Sequence, residues 1–160
     1  MAESIKIRLA RTVDATKLAV MSRDLVELGL GWSWTQPRII RHIRSPESVV
    51  VVAQRRGQTV AFAIMRFSHE EAHLDLLAVR PRFRRAGIGR QLIEWLEKSA
   101  LVAGVSVVYL EVRENNKAAQ SFYKKLGYCR VTRLSGYYRG RESAIGMARD
   151  LWCPTLTTAD

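Results

Sequence analysis

One stretch of the chain, Leu74 to Ala103, combines a strand, a loop rich in glycine and arginine, and a helix. Residues 74–79 have the length and apolar composition of a strand. The first turn of a helix offers unpaired N–H groups, and glycines let the backbone approach a ligand closely, so the loop predicts a pyrophosphate site. The loop contains Arg80, Arg82, Arg84, Arg85, Gly87 and Gly89, and the apolar face of the helix contains Ile88, Leu92, Trp95, Leu96 and Ala103.

The same loop has three other interpretations. The simplest is a surface turn in a basic protein. A nucleotide-kinase loop requires Gly-Lys-Ser/Thr, whereas Gly89 is followed here by Arg90 and Gln91. A dinucleotide-binding GxGxxG fingerprint fits better, because Glu111 ends the next predicted strand, where an acid would bind ribose. Leu92 nevertheless replaces the third glycine, and the unit lies in the middle of the chain.

The rest of the chain alternates predicted strands and helices. Strands are predicted at 5–10, 49–54, 59–67, 105–112, 128–134 and 144–151, with a hairpin turn at Gly57. Asp14, Thr35 and Asn115 or Asn116 are predicted helix N-caps, and Gly127 is a predicted C-cap. The first helix has the apolar stripe Leu18, Met21, Leu25 and Leu28, and the second ends near Arg44. These elements predict a mixed, mostly antiparallel sheet flanked by helices.

Length and composition favour a single domain over residues 1–152, followed by a short tail at 153–160. We expect a cytoplasmic, soluble protein without a membrane association, because no run of 18 apolar residues and no charged-then-apolar leader is present. Cys129 and Cys153 have no metal-ligand spacing, so they are expected to be reduced and structural, and no metal is expected.

The chain carries 26 basic and 15 acidic residues and a formal net charge of +11. Such an excess attracts polyanions such as RNA, a ribosome surface or a phosphorylated cofactor. The basic residues outside the loop are spread along the chain and form no single basic helix, so nucleic-acid binding is expected to be at most accessory. The oligomeric state is left open, with a homodimer among the options.

The segment His69-Glu70-Glu71-Ala72-His73 matches the zinc-hydrolase motif HExxH. That motif requires a helix, which places both histidines on one face and the glutamate beside the metal. Here the five residues join two predicted strands without a helical stripe around them. A turn is therefore predicted in place of a zinc site.

Two motifs, in the same order along the chain, resemble a known family. Residues 84–89, Arg-Arg-Ala-Gly-Ile-Gly, resemble the R/Q-x-x-G-x-G/A signature of the GNAT superfamily of acetyl-CoA-dependent N-acetyltransferases. Residues 109–128 resemble its second half, and the likeness extends over about residues 5–151. The nearest branch acetylates protein N-terminal amines and is of the ribosomal-protein-alanine acetyltransferase type. It combines LEVR, NxxAxxxY and a tyrosine pair before the last strand, which match 110–113, 116–123 and Tyr137-Tyr138 here.

The resemblance implies a GNAT-like α/β (α+β) fold, with a mostly antiparallel sheet of about seven strands and about four flanking helices. It also implies acetyl-CoA as co-substrate. Backbone N–H groups of the glycine loop would hold the pyrophosphate, and the main chain of a splayed strand would hold the pantetheine arm. The residues assigned to this cofactor are Leu77, Ala78, Val79, Arg84, Arg85, Ala86, Gly87, Ile88, Gly89, Arg90, Asn116 and Tyr123.

The resemblance further implies that Glu111 is the general base and Tyr123 the general acid. Tyr137 and Tyr138 would hold the acceptor. Each residue also has a structural interpretation: Glu111 could pair with Arg113 or another surface arginine, Tyr123 could be a core aromatic, and Asn116 could cap its helix.

Three more residues are candidates for roles at the acceptor site. Glu27 is a reserve candidate for the base, although its position on a helix could equally be solvated. Trp32 and Trp34 could cover the acceptor pocket or serve as buried anchors, and burial is the commoner role of indole.

Together these features predict an N-acetyltransferase that moves an acetyl group from acetyl-CoA to a primary amine by direct attack in a ternary complex. A protein N-terminal α-amine is the favoured acceptor. One alternative is an enzyme that acetylates a small amine, such as a polyamine, an amino acid or an antibiotic. Another is a non-catalytic module that binds acyl-CoA or the ribosome.

Overall fold

The computed structural model describes residues 4–153. In this part of the chain, two single turns of 3-10 helix accompany seven strands and four α-helices. The strands are β1 Lys6–Leu9, β2 Ser48–Arg55, β3 Gln58–Phe67, β4 Glu71–Val79, β5 Val107–Arg113, β6 Cys129–Tyr138 and β7 Glu142–Asp150. The helices are α1 Ala15–Leu25, α2 Gln36–Arg44, α3 Ile88–Val102 and α4 Lys117–Lys125. No helix within residues 4–153 is long and apolar enough to cross a membrane.

The seven strands form one sheet in the order β1-β2-β3-β4-β5-β7-β6. All neighbouring pairs are antiparallel except β4 and β5, which run parallel. This architecture confirms the predicted mixed, mostly antiparallel sheet with four helices. Of the predicted tail, residues 154–160 lie outside the described part of the chain.

The parallel pair is short and then opens. Pairing between β4 and β5 covers only Glu71–His73 on one strand and Val107–Tyr109 on the other. Beyond His73, β4 continues to bond with β3 but not with β5. The sheet therefore contains an internal gap between two strands, with free backbone groups along its sides.

A bulge in β4 lies at the start of this gap. Met65 of β3 pairs with Leu74, whereas the preceding residue Ile64 pairs with Leu76, so Asp75 is one residue extra. A shift of one residue reverses the faces to which side chains point. Leu74 accordingly packs in the core beneath α3 and α4, and Leu76 packs in the core beneath α1 and α2.

Two apolar cores cover the two faces of the sheet. The core on the α3 and α4 side includes Leu92, Leu96 and Leu110, and the core on the α1 and α2 side includes Leu18 and Ile39. These residues recur at the intervals expected of amphipathic helices and of an alternating strand.

Three element predictions need correction. β4 begins at Glu71, before the predicted Leu74, because residues 71–73 pair with β5 and residues 72 and 73 also pair with β3. The second half of the HExxH segment is therefore strand and not turn. Leu28 does not extend the stripe of α1, because that helix ends at Leu25 and Leu28 is 71% exposed. Asp14 precedes α1, but its carboxylate accepts from Arg8 and the Arg11 N–H and makes no capping bond.

A buried ion pair joins α3 to β7. Arg149 Nη1 donates to Glu97 Oε2 at 2.7 Å, and the Tyr128 hydroxyl donates to the same oxygen at 3.4 Å. Only 7% of the Glu97 side chain is exposed, and burial raises the pKa of this carboxyl even though Arg149 acts to lower it. A carboxylate in such a position depends on its partner, because an unpaired buried charge is strongly destabilising.

Candidate functional site

The loop between β4 and α3 has the predicted anion-binding geometry. Arg85 has φ 63° and Gly87 has φ 79°, two left-handed residues that turn successive N–H groups toward one side. The first bond within α3 runs from Gln91 N to Gly87 O, so the N–H groups of Ile88, Gly89 and Arg90 precede it and are free of intrahelical partners. The helix dipole adds a positive partial charge at the same place.

Two contacts keep this loop close to the gap in the sheet. Arg84 Nε donates to Val79 O at 3.1 Å and so connects the loop to the end of β4. A side chain at Gly89 would place its Cβ 3.2 Å from Phe122 of α4 and 3.7 Å from Val79. Glycine at this position therefore allows α3 to begin directly against both elements.

The edge of β4 that faces the gap fits an extended, amide-containing ligand. Leu77, Ala78 and Val79 pair with β3 on one side and with no strand on the other. Their side chains pack in the two cores. The unpaired main-chain groups are what a ligand such as pantetheine could bond, as an added strand would.

Glu111 lies on the face of β5 opposite the core residues Leu110 and Val112. Its Oε2 accepts from His73 Nε2 at 2.5 Å. Arg113, the partner suggested by the structural interpretation, donates instead to Val26 O at 3.0 Å and Leu28 O at 2.9 Å. Glu111 is therefore paired across the gap, at the point where β4 and β5 separate.

Sequence reasoning missed the three other charged residues of this cluster. His73 Nδ1 donates to Asp75 Oδ1 at 2.5 Å, and Arg66 Nε donates to Asp75 Oδ2 at 2.6 Å. A cavity of about 340 Å³ lined by Arg66, His73 and Glu111 opens beside them. The sequence contained one indication of this cluster, namely His73 and Asp75 in an otherwise apolar strand. Charged residues are rare in buried strands unless they are paired.

The cluster shifts the pKa values of its members. Burial by itself lowers the pKa of His73, but hydrogen bonds with Asp75 and Glu111 and the charges of both carboxylates raise it to about 9. Burial would raise the pKa of Asp75, but the bonds from His73 and Arg66 hold it below its usual range. At neutral pH, His73 therefore carries a positive charge between two carboxylates.

Tyr123 and Asn116 lie on α4 next to the gap. Asn116 caps α4, because its Oδ1 accepts from Ala119 N at 3.0 Å. Tyr123 is buried among Phe122 and Tyr128, as its structural interpretation requires. Burial raises the pKa of the Tyr123 phenol above its ordinary value, so the hydroxyl keeps its proton at neutral pH and can donate it.

Tyr137 and Tyr138 end β6 and pack edge to face, with ring centroids 4.9 Å apart. Burial raises the pKa of both phenols, and the nearby charge of Glu111 adds to the effect. Both tyrosines therefore lie close enough to Glu111 to respond to its charge. The tight turn after them brings Arg139 against Gly31, where an added Cβ would lie 2.9 Å from the guanidinium.

The loop between α1 and α2 is held by Glu27. Its Oε1 accepts from Ser33 N at 2.7 Å and from the Ser33 hydroxyl, and its Oε2 accepts from Ser22 Oγ at 3.0 Å. Only 8% of Glu27 is exposed. Because internal donors occupy both oxygens, Glu27 positions this loop, and its suggested reserve role as a base has no free acceptor to support it.

Trp32 and Trp34 lie on the same loop in different settings. Trp34 belongs to the core beneath α1 and α2, and the guanidinium of Arg38 stacks 3.7 Å from its ring centroid. Trp32 is 44% exposed, but its Nε1 donates inward to Ala19 O and Trp34 O. These contacts fit anchoring roles, while an acceptor-binding role for either residue stays a prediction.

Among residues 4–153 no group of three or more His, Cys, Asp or Glu side chains could hold a metal ion. The HExxH segment lacks the helix that its mechanism needs, since residues 71–73 are strand. Neither cysteine of the described chain is disulfide-bonded, and both are exposed.

Comparison with known proteins places these features in a family. The family model described as "Acetyltransferase (GNAT) family" matches residues 19–128. The [ribosomal protein bS18]-alanine N-acetyltransferase of Escherichia coli is 41% identical over 97 residues, which cover 59% of this chain and 66% of that enzyme. An N-alpha-acetyltransferase of Sulfurisphaera tokodaii is 31% identical over 91% of this chain and 93% of its own.

A solved structure supports the same assignment. The crystal structure of the ribosomal-protein-S18-alanine N-acetyltransferase from Escherichia coli superposes with a TM-score of 0.82 at 28% identity, covering 98% of this chain and 100% of that one. The sequence motifs, the gap between β4 and β5 and the glycine loop agree with this likeness. The chain therefore belongs to the acetyltransferase (GNAT) family, as the sequence predicts, and acetyl-CoA is the acetyl donor of that family.

Proposed function

We propose that this protein transfers the acetyl group of acetyl-CoA to the N-terminal α-amine of a protein, by direct attack in a ternary complex. The observation that carries the proposal is the gap between β4 and β5, which leads from the N-terminus of α3 to the carboxylate of Glu111. A thioester and an amine could meet there beside a base and a phenol. Positioning of this kind accounts for much of enzymatic rate enhancement.

The cofactor would lie along the gap. The N–H groups of Arg85 to Arg90 would bind the pyrophosphate, and the free edge of β4 at Leu77, Ala78 and Val79 would bond the pantetheine amides. Asn116 and Tyr123 would border the arm from α4. The geometry that supports this assignment is the pair of left-handed residues in the loop and the unpaired edge of β4.

The first test separates cofactor binding from loop strain. Gly87 and Gly57 have φ 79° and 74°, and an added Cβ at either would meet nothing within 4 Å. Both Gly87→Ala and Gly57→Ala should therefore lower the free energy of unfolding by about 1 kcal/mol, the cost of a left-handed alanine. Only Gly87→Ala should also weaken acetyl-CoA binding, by about tenfold. Isothermal calorimetry and urea unfolding measure the two effects, and equal affinity in both variants would contradict the assignment.

Catalysis would use Glu111 as the base and Tyr123 as the acid. Glu111 would accept a proton from the acceptor amine, directly or through water, as the amine nitrogen attacks the thioester carbonyl. Tyr123 would donate its proton to the departing thiolate, and burial keeps this phenol protonated at neutral pH because it raises the pKa. No covalent intermediate with the protein is needed.

An α-amine suits this site better than a lysine. Freeing the neutral amine at pH 7 costs about 1.4 kcal/mol for an α-amine and about 4.6 kcal/mol for a lysine side chain. One relative is described as a [ribosomal protein bS18]-alanine N-acetyltransferase and another as an N-alpha-acetyltransferase. Tyr137 and Tyr138 would hold the acceptor backbone at the mouth of the gap, and Trp32 would border it from the opposite loop.

The second test compares three acceptors. CoA release from acetyl-CoA is measured with a lysine-free peptide bearing a free N-terminus, an N-blocked peptide containing lysine, and a polyamine. Turnover is expected with the first peptide, at a kcat/KM at least tenfold above the other two, because its amine deprotonates more readily. Turnover with the polyamine alone would contradict the protein acceptor and favour a small-amine acetyltransferase. No turnover with any acceptor would favour a binding module.

The remaining assignments follow from the proposed acceptor. A ribosomal or other newly made protein N-terminus would place the enzyme in the cytoplasm, and the net charge of +11 would favour transient contact with the ribosome or its RNA. One domain over residues 1–152 and a homodimer stay predictions.

A further inference from the structure

Four charged side chains form a continuous chain that ends at the proposed base. Arg66 donates to Asp75, Asp75 accepts from His73, and His73 donates to Glu111, over 2.6, 2.5 and 2.5 Å. Exposure of the side chain falls from 52% at Arg66 to 5% at Asp75, with His73 at 28% and Glu111 at 20%. Positive and negative groups alternate, so the chain is neutral as a whole.

When both carboxyl groups are ionised, this geometry requires a doubly protonated imidazole. Both ring nitrogens of His73 lie within 2.5 Å of carboxylate oxygens, and an ionised carboxylate can only accept hydrogen bonds. A neutral imidazole has one donor nitrogen and could satisfy only one of these contacts. His73 therefore acts as a fixed, charged bridge between Asp75 on its own strand and Glu111 on β5.

We propose that His73 is a positioning residue for acetyl transfer: it holds one oxygen of Glu111 so that the other oxygen faces the acceptor amine. The inference rests on the proposed function. Oε2 of Glu111 is occupied by His73, which leaves Oε1 for the amine or its bridging water. Asp75, which is itself held by Arg66, fixes the orientation of the imidazole ring. Because the pairing of β4 and β5 stops at His73, this bond also connects the two strands where they would otherwise separate.

Every neighbouring element contributes a charged or titratable group to this bridge. Arg66 comes from β3, Asp75 from β4, Glu111 from β5 and Tyr137 from β6, and His42 of α2 lies near enough to Asp75 to respond to its charge. With these neighbours, the pKa of His73 is about 9. Above that pH the bridge loses its charge and one of its two donors, so the rate should fall.

The test uses His73→Ala and His73→Gln, with His69→Asn as a control on the exposed turn before β4. His73→Ala should lower kcat by about 10- to 100-fold, the usual cost of a misplaced catalytic group. His73→Gln should recover part of this loss, since its amide can donate to Glu111. Acetyl-CoA affinity and the control variant should be unchanged. The fall in rate of the wild type above about pH 9 should be absent from both His73 variants.

Coupling to Glu111 distinguishes positioning from a general structural role. If His73 acts through Glu111, adding His73→Ala to Glu111→Gln should change kcat less than twofold. The inference would be overturned if the losses in kcat of the two single variants multiplied in the double variant. It would also be overturned if the His73 variants kept the fall in rate at alkaline pH. A normal rate in His73→Ala with a low rate in Glu111→Gln would overturn it while leaving the proposed function intact. A normal rate in Glu111→Gln would remove Glu111 as the base, and this inference with it, while the acetyl transfer itself would stand.

Thermal unfolding gives a readout that needs no acceptor. A histidine whose folded pKa exceeds its unfolded value stabilises the protein fully below about pH 6.5, and the stabilisation is lost as pH rises through the folded value. The wild type should therefore unfold at a higher temperature than His73→Gln at pH 6.5, and the difference should shrink by pH 10. An equal difference at both values of pH would contradict the charged bridge.

Discussion

Glu111→Gln is expected to lower kcat for a peptide with a free N-terminus by about 10²- to 10⁴-fold, the contribution typical of a general base. Glutamine keeps the shape of the side chain and can still bond to His73, but it cannot accept a proton. Acetyl-CoA affinity should be unchanged, because the proposed cofactor contacts are backbone groups of the loop and of β4. Steady-state kinetics and calorimetry measure the two quantities.

Glu47→Gln is a matched control, since Glu47 is exposed on the segment before β2 and does not line the cavity beside Glu111. It should behave as the wild type does in both measurements. A loss of acetyl-CoA binding in Glu111→Gln would mean that the carboxylate has a structural role. A wild-type rate would mean that another group or water removes the amine proton.

Arg149→Met should strongly lower the stability of the fold. The substitution leaves Glu97 buried without its ionic partner, which typically costs about 3–5 kcal/mol. For a protein of this size, about 3 kcal/mol corresponds to a fall of about 6–12 °C in Tm. Calorimetry at several values of pH measures the effect.

The loss should depend on pH. Burial already raises the pKa of Glu97, and removal of Arg149 takes away the group that opposes this rise. An acid whose folded pKa lies above its unfolded value loses stability as pH increases, so the deficit of Arg149→Met should be larger at pH 8 than at pH 5.

Two further variants check the cause of this loss. Glu97→Gln combined with Arg149→Met should recover most of the stability, because the buried charge is then absent. Arg133→Met removes an exposed pair with Glu114 and should change Tm little. If the double variant were as unstable as Arg149→Met, lost packing of the arginine stem would be the cause instead.

Local chemistry made most elements predictable. Gly57, Gly87 and Gly127 have positive φ where the sequence predicted a hairpin turn, a loop and a helix cap, because L side chains rarely adopt that conformation. Asn116 caps α4 as predicted, since a short side-chain acceptor next to a helix start bonds its free N–H groups. The prediction that Leu28 belongs to the apolar face of α1 was wrong, because the spacing of apolar residues does not show where a helix ends. The backbone leaves the helix at Val26, before Leu28.

The candidate site was predictable only where its residues belong to motifs. Glu111 and Tyr123 were named from the family's pattern, and the structure brings both to the gap or its border. The sequence predicts a turn at His73, because the HExxH segment joins two predicted strands, whereas His73 lies within β4. Its partners lie 2 and 38 positions away in the chain, so no local pattern could reveal the bridge.

The sequence by itself determined the strand–loop–helix unit, the Asn116 cap, the alternation of strands and helices, and the family. Each of these depends on contacts between residues a few positions apart. Such contacts are visible in the sequence as the spacing of apolar residues, or as glycine and asparagine at turns and caps. Only the tertiary structure decided where β4 leaves β5, that Asp75 is the extra residue of a bulge, and that Arg66, Asp75, His73 and Glu111 form one chain. Those features arise from the register between strands, and register depends on packing across the whole sheet.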